Sequence, residues 1–160
     1  MASNQPPKNP ALDQAAQSSY LKLWLELART SKTIEQQMEE RLQTEFNQSF
    51  ARFDVLSQLE RFDPERLPMG VLAGNLLASK GNITRLIDRM IKDELIDRKP
   101  SPQDRRIIQV GFTNQGRQLF KKMAQAHAQW SSEILGGITK KDADRMLKML
   151  RTLQATSDID

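Results

Sequence analysis

The sequence predicts a mainly α chain that carries one small β-hairpin, and three observations lead there. Apolar residues recur at helical spacing through most of the 160 residues. The stretch "LPMGVLAGNLLASKGNITRLIDRMIKDEL" holds two short helices with a tight turn between them, the pattern of a helix-turn-helix. Directly after it, "IDRKPSPQDRRIIQVGFT" sets two strand-like runs on either side of a proline-broken, basic tip.

The elements follow in order. From Gln17 to Phe46, the residues Tyr20, Trp24, Leu27, Ile34, Met38, Leu42 and Phe46 fall at spacings of three, four or seven, with charges between them. A helix of about 30 residues is long for a compact domain and is expected to reach beyond its own core towards a partner. The polar, proline-rich start has no apolar signal-peptide core, and residues 1–17 are expected to be a disordered tail. Ser49 then serves as N-cap of a helix whose buried stripe is Phe50, Phe53, Leu56 and Leu59. "DPER" (Asp63 to Arg66) reads as a loop.

Pro68 suits the first turn of a short helix running to about Leu77. Ser79 can cap the next one, with Ile83, Leu86, Ile87 and Met90 buried. "IDRK" forms a short strand, Pro100 and Pro102 break it, and Ile108, Val110 and Phe112 share one face of its partner strand. Thr113 caps a long helix with Leu119, Met123, Ala126, Trp130 and Ile134 inside, stopped by Gly136-Gly137. "TKKD" (Thr139 to Asp142) is a capping box with Asp in place of Glu, opening a last helix with Met146, Leu147, Leu150 and Leu153 on its apolar side.

Composition removes whole classes of function. Cys is absent and His127 is the sole histidine, which excludes disulfides, thiol redox sensing and Cys/His zinc sites. No apolar run reaches the length needed to span a membrane. Gly-rich phosphate loops, nucleophile elbows and metal-ligand spacings are missing, so neither an enzyme nor a cofactor is expected. The carboxylate pairs Glu39-Glu40 and Asp142/Asp144 lie in amphipathic helices, where a solvated face is the ordinary explanation.

The formal net charge is +4, and its placement says more than its size. Between Ser79 and Arg106 stand eight basic residues (Lys80, Arg85, Arg89, Lys92, Arg98, Lys99, Arg105 and Arg106) against five acids. They cluster on the solvent side of the second short helix and on the hairpin tip. A helix fits the DNA major groove, and an Arg on a thin hairpin fits the minor groove. A helix-turn-helix followed by such a hairpin is a winged helix, with the hairpin as its wing.

"NITRLIDRMIKDELIDRKPSPQDRRIIQVGFTNQGRQLF" resembles the MarR (multiple antibiotic resistance regulator) family of winged-helix transcription regulators. The family's wing pattern is Asp-x-Arg, an alternating strand, then Leu-Thr-x-x-Gly. This chain has Asp104-Arg105-Arg106, then Ile107 to Gly111, then Phe112-Thr113-Asn114-Gln115-Gly116, so Phe112 stands for Leu. The resemblance spans roughly Ser18 to Gln154. It implies a homodimer in which residues 18–48 and 114–156 form the helical dimerisation region and 49–113 the DNA-binding region. Each winged helix would read one half of a near-palindromic double-stranded operator, with centres roughly 10 bp apart.

Carried onto matching positions, the resemblance directs Ser79, Lys80, Asn82, Thr84 and Arg85 to bases or phosphates, and Arg106 to the minor groove. Asp104 would orient Arg106 by a charge-assisted hydrogen bond. Arg89 and Arg105 would meet phosphates. The expected setting is a prokaryotic cytoplasm and the expected behaviour repression. A sequence-independent architectural or RNA-binding winged helix is the alternative.

Many members of the family release DNA when a small organic effector binds. Most of the aromatic residues (Trp24, Phe46, Phe50, Phe53, Phe62 and Trp130) are expected to be plain core. The alternative for the pair Phe50 and Phe53 is to line an apolar pocket against Ser31, Ile34 and Met38, with Arg41 or Arg52 receiving a carboxylate or phosphate. "RFDVLSQLER" and "SKGNITRLIDR" look similar to the branch that regulates aromatic-acid breakdown, which implies an aromatic acid or its coenzyme A thioester as effector. His127, beside the Trp130 stripe, is expected to pack at a helix edge rather than touch a ligand.

Overall fold

The computed structural model describes residues 10–62, 66–76 and 83–157. Its elements run α1 (Pro10–Phe46), α2 (Phe50–Arg61), β1 (Leu67–Pro68), α3 (Met69–Asn75), α4 (Ile83–Lys92), β2 (Ile96–Pro100), β3 (Ile108–Phe112), α5 (Asn114–Leu135) and α6 (Lys140–Ser157). The mainly helical chain with a basic hairpin is therefore as the sequence predicts.

Local chemistry sets most boundaries. Ser49 caps α2 by accepting the Arg52 N–H at 3.3 Å. Asn47, in the left-handed region (φ 53°), ends α1, and the Gln48 N–H turns back to the Leu42 carbonyl at 3.2 Å. Glu94 (φ 57°) closes the turn after α4, with the Leu95 N–H on the Met90 carbonyl at 3.0 Å. Thr139 caps α6, its Oγ1 accepting from the Asp142 N–H at 3.2 Å, and the Asp in place of Glu reaches back only to that hydroxyl, which donates to its carboxylate at 2.6 Å.

The hairpin is part of a three-stranded antiparallel sheet in the order β1-β3-β2. Ile96 faces Phe112 and Pro100 faces Ile108 across β2 and β3, while Leu67 and Pro68 pair with Val110 and Gln109. The third strand corrects the two-stranded expectation. Two residues carry no period-2 signal, and β1 exists only because β3 offers its free edge.

α2 lies at the centre of the core. Phe53, Val55, Leu56 and Leu59 are buried, as is the polar pair Asp54 and Gln58, so the helix is enclosed on more sides than a single stripe provides. Around it pack Met38 and Leu42 of α1, Leu72 of α3, Ile83, Ile87 and Met90 of α4, and Phe120, Met123 and Trp130 of α5. Phe53 stacks on Phe120 with centroids 5.7 Å apart and on His127 at 4.6 Å.

One expectation changes. α1 is already helical at Pro10, so residues 10–17 are not a tail; proline tolerates a first turn, and the "ALDQAAQ" that follows it favours helix. Ile108, Val110 and Phe112 do alternate onto one face of β3, but Ile108 is 38% exposed because its end of the strand runs past the core.

The ends of the chain leave apolar surface uncovered. Tyr20 and Trp24 lie on the same stripe of α1 as Met38 and Leu42, yet they are 70% and 62% exposed. Met146, Leu147, Met149, Leu150 and Leu153 of α6 are exposed as well.

Candidate nucleic-acid interface and groove

α4 buries Ile83, Ile87 and Met90, and the helical period turns Thr84, Arg85 and Arg89 to solvent. Ser79, Lys80 and Asn82 lie outside the described residues. Arg98 of β2 reaches Asp88 of α4 at 3.1 Å, tying the hairpin to this helix.

The hairpin tip is shaped by its own polar groups. The Ser101 N–H meets the Ile107 carbonyl at 2.8 Å, and the Ile107 N–H meets the Asp104 carbonyl at 2.9 Å. Asp104 then accepts three hydrogen bonds from Arg106: its backbone N–H at 3.0 Å, Nε at 3.1 Å and Nη2 at 3.0 Å. These hydrogen bonds hold the Asp104 carboxyl below the ordinary range and keep Arg106 more firmly protonated. The Arg106 side chain is 90% exposed, so it is oriented without being covered. Arg105 beside it is also exposed.

The base of the sheet has an anchor that spacing does not reveal. Arg66 donates to the Asp97 carboxylate, and its Nη2 reaches the Asp97 carbonyl at 3.0 Å. Burial raises the Asp97 pKa, but Arg66, helped by Lys99, outweighs it and the net shift is downward. The guanidinium lies over Gly111, where a Cβ would stand 2.7 Å from Arg66 Nη1.

Where β3 passes into α5, Thr113 Oγ1 donates to the Glu94 carbonyl at 2.5 Å, with the Leu95 carbonyl 3.1 Å away, and accepts the Gly116 N–H at 3.0 Å. A Cβ on Gly116 would stand 1.8 Å from the Leu95 carbonyl oxygen. The Thr-x-x-Gly spacing thus caps α5 and lets its first turn press against the start of β2.

A groove of about 860 Å³ opens between α1, α2, α5 and α6. Ser31, Ile34, Met38 and Phe50 line it, as the sequence predicts. The structure turns the other three predicted residues elsewhere. Arg41 pairs with Glu133 at 2.6 Å and sits 5.8 Å from the Trp130 ring centroid; Arg52 pairs with Asp93 at 2.5 Å and reaches Gln48 at 3.1 Å. Phe53 is a core residue between Phe120 and His127. His127 does pack at the helix edge, but it lines the groove too, and burial holds its pKa below the ordinary value. Among the described residues no cluster of His, Asp and Glu is placed to hold a metal ion, and no helix is long and apolar enough to cross a membrane.

Comparison with known proteins agrees with this geometry. The MarR family model matches residues 49–108, the span from the α2 cap to the first residue of β3. The HTH-type transcriptional repressor IacR of Pseudomonas putida is 28% identical over 145 residues, covering 91% of this chain and 84% of that protein. A MarR family transcriptional regulator from Silicibacter pomeroyi superposes with a TM-score of 0.76 at 29% identity, covering 89% of this chain and 97% of that one. A mutant MarR from E. coli complexed with operator DNA shares the fold, with a TM-score of 0.74 at 19% identity over 84% of this chain and 95% of its own. These relatives are transcription regulators, not enzymes.

Proposed function

Because this chain belongs to the MarR family of winged-helix, DNA-binding transcription regulators, we propose that it is a cytoplasmic repressor. It binds a near-palindromic operator as a homodimer and lets go when a small organic effector enters the groove. The observation that carries the DNA-binding part is the wing tip. Arg106 is fully charged, held by Asp104 and otherwise open to solvent, which is the preparation a minor-groove contact needs. Thr84 and Arg85 on α4 take the major groove, and Ser79, Lys80 and Asn82 approach bases or phosphates from the start of that helix. Arg89 and Arg105 meet phosphates.

The uncovered apolar faces support the dimer. Apolar surface of this kind on a monomer marks an interface, and Tyr20, Trp24, Met149 and Leu153, which do not line the groove, supply it on α1 and α6. On this reading residues 18–48 and 114–156 join the subunits and 49–113 read DNA. Repression is supported by the similarity to IacR, which is named a repressor. An aromatic acid or its thioester as effector would need a cation in the groove, and Arg41 and Arg52 are held outside it.

The test is fluorescence anisotropy on a duplex from this gene's upstream region beside a scrambled duplex of equal length, near physiological salt. A gap of roughly a thousandfold or more is expected for operator recognition. Equal affinities falling together with salt would mean phosphate contacts alone, the behaviour of an architectural protein.

A further inference from the structure

The groove carries its own statement about what enters it. Its body is apolar, with Leu27, Ile34 and Met38 of α1 facing Ile134 of α5 and Met146 and Leu150 of α6. Phe50 adds an aromatic wall, so a planar ring system has surface to lie against. The volume, about 860 Å³, is that of a small-molecule site.

The charges on this lining are negative. Glu35 and Glu39 both belong to it. The Glu39 carboxylate accepts the Phe50 N–H and so stands at the N-terminus of α2, where it occupies the positive end of that helix. An incoming anion would otherwise have found its natural partner there. His127 offers an imidazole that burial biases towards the neutral form. The two cations expected to receive an anion here are engaged elsewhere: Arg41 with Glu133, whose carboxyl it holds below the ordinary range, and Arg52 with Asp93.

We propose that the groove selects an apolar, aromatic-bodied effector with an uncharged or cationic polar head and discriminates against acids. The proposal rests on the groove being the effector site. A carboxylate placed here leaves water to face two like charges with no cation to receive it, whereas an amide, hydroxyl or ammonium meets carboxylate and hydroxyl acceptors. Ser31, Ser49 and Ser131 add hydroxyls at the lining for orientation.

The experiment uses the full chain and three compounds on one skeleton: 1-naphthaleneacetic acid, 1-naphthaleneacetamide and 2-(1-naphthyl)ethylammonium. Thermal shift and release from the upstream duplex are read for each. The amide and the ammonium are expected to raise Tm and weaken DNA binding, with the acid at least about tenfold weaker. In Glu35→Arg, at an exposed position, the acid should gain and the ammonium should lose. Ser31→Trp, which fills the groove from a solvent-facing site, should abolish all three effects. An acid that binds the native protein as tightly as the amide overturns the charge selection and leaves the groove as effector site. Silence from all three compounds, or shifts that survive Ser31→Trp, removes the site and the selection with it.

Discussion

Asp104 grips Arg106 through both side-chain Nε and Nη2, at 3.1 and 3.0 Å, while also accepting the Arg106 backbone N–H at 3.0 Å. One carboxylate thus shapes the turn and aims the cation that the turn presents. Arg106→Ala is expected to weaken operator binding by roughly tenfold or more while leaving Tm unchanged. Asp104→Asn keeps an acceptor for the backbone N–H but loses the charge, so its affinity should fall between the two. Anisotropy beside a melting curve separates these outcomes from misfolding. Asp104 titrates below its ordinary value, so the grip should be insensitive to pH from about 5 upwards.

Gly116 should tolerate no side chain. A Cβ there would stand 1.8 Å from the Leu95 carbonyl oxygen, and backbone is what must yield. Gly116→Ala is expected to cost roughly 1–3 kcal/mol or more, read from urea unfolding. Gly111→Ala should cost less. Its clash, at 2.7 Å, is with the guanidinium of Arg66, which can swing aside at the expense of its bond to Asp97.

Stability should fall on mild acidification through one residue. Burial depresses the His127 pKa below 6.5 in the folded chain, so the unfolded chain takes up the proton first. The loss begins as pH drops through about 6.5 and levels off once the folded imidazole also titrates. Phe53 stacks on the ring at 4.6 Å, and Glu35 and Glu39 line the same groove. His127→Phe keeps an aromatic ring on Phe53 and should flatten the difference between urea midpoints measured at pH 7.5 and 5.5.

The proposed subunit contact should break without unfolding the subunit. Trp24 is 62% exposed and Leu153 is 47% exposed, and neither lines the groove, so neither supports the fold of a single chain. Trp24→Ser and Leu153→Ser are each expected to weaken the dimer by roughly tenfold or more, with far-UV circular dichroism unchanged. Sedimentation velocity across a dilution series reads the effect, and DNA affinity should fall with it because two linked half-site readers become independent.

What could be read from the sequence was local. The α4 stripe, the Thr113 cap, the Asp104–Arg106 pair and the Thr139 cap each depend on residues within a few positions of one another, and each is found as expected. What could not be read depends on distant partners. β1 is two residues whose pairing is supplied by β3, and Arg66 meets Asp97 across 31 positions. Nothing in the spacing of Arg41 or Arg52 says that Glu133 and Asp93, 92 and 41 positions away, will claim them instead of the groove. Helical periodicity puts a side chain on a face; only tertiary contacts decide what that face meets.

α1 runs 37 residues without a break, which at about 1.5 Å per residue is a rod of about 55 Å. One end, from Met38 to Phe46, is clamped to α2 and α5; the other, around Tyr20 and Trp24, projects clear of the fold. Such a rod is a lever arm. A rotation of one degree at the projecting end displaces the clamped end by about 1 Å; in the proposed dimer, a slight wedge in the groove along its side would therefore be enough to push the two reading heads out of step with the turn of the double helix.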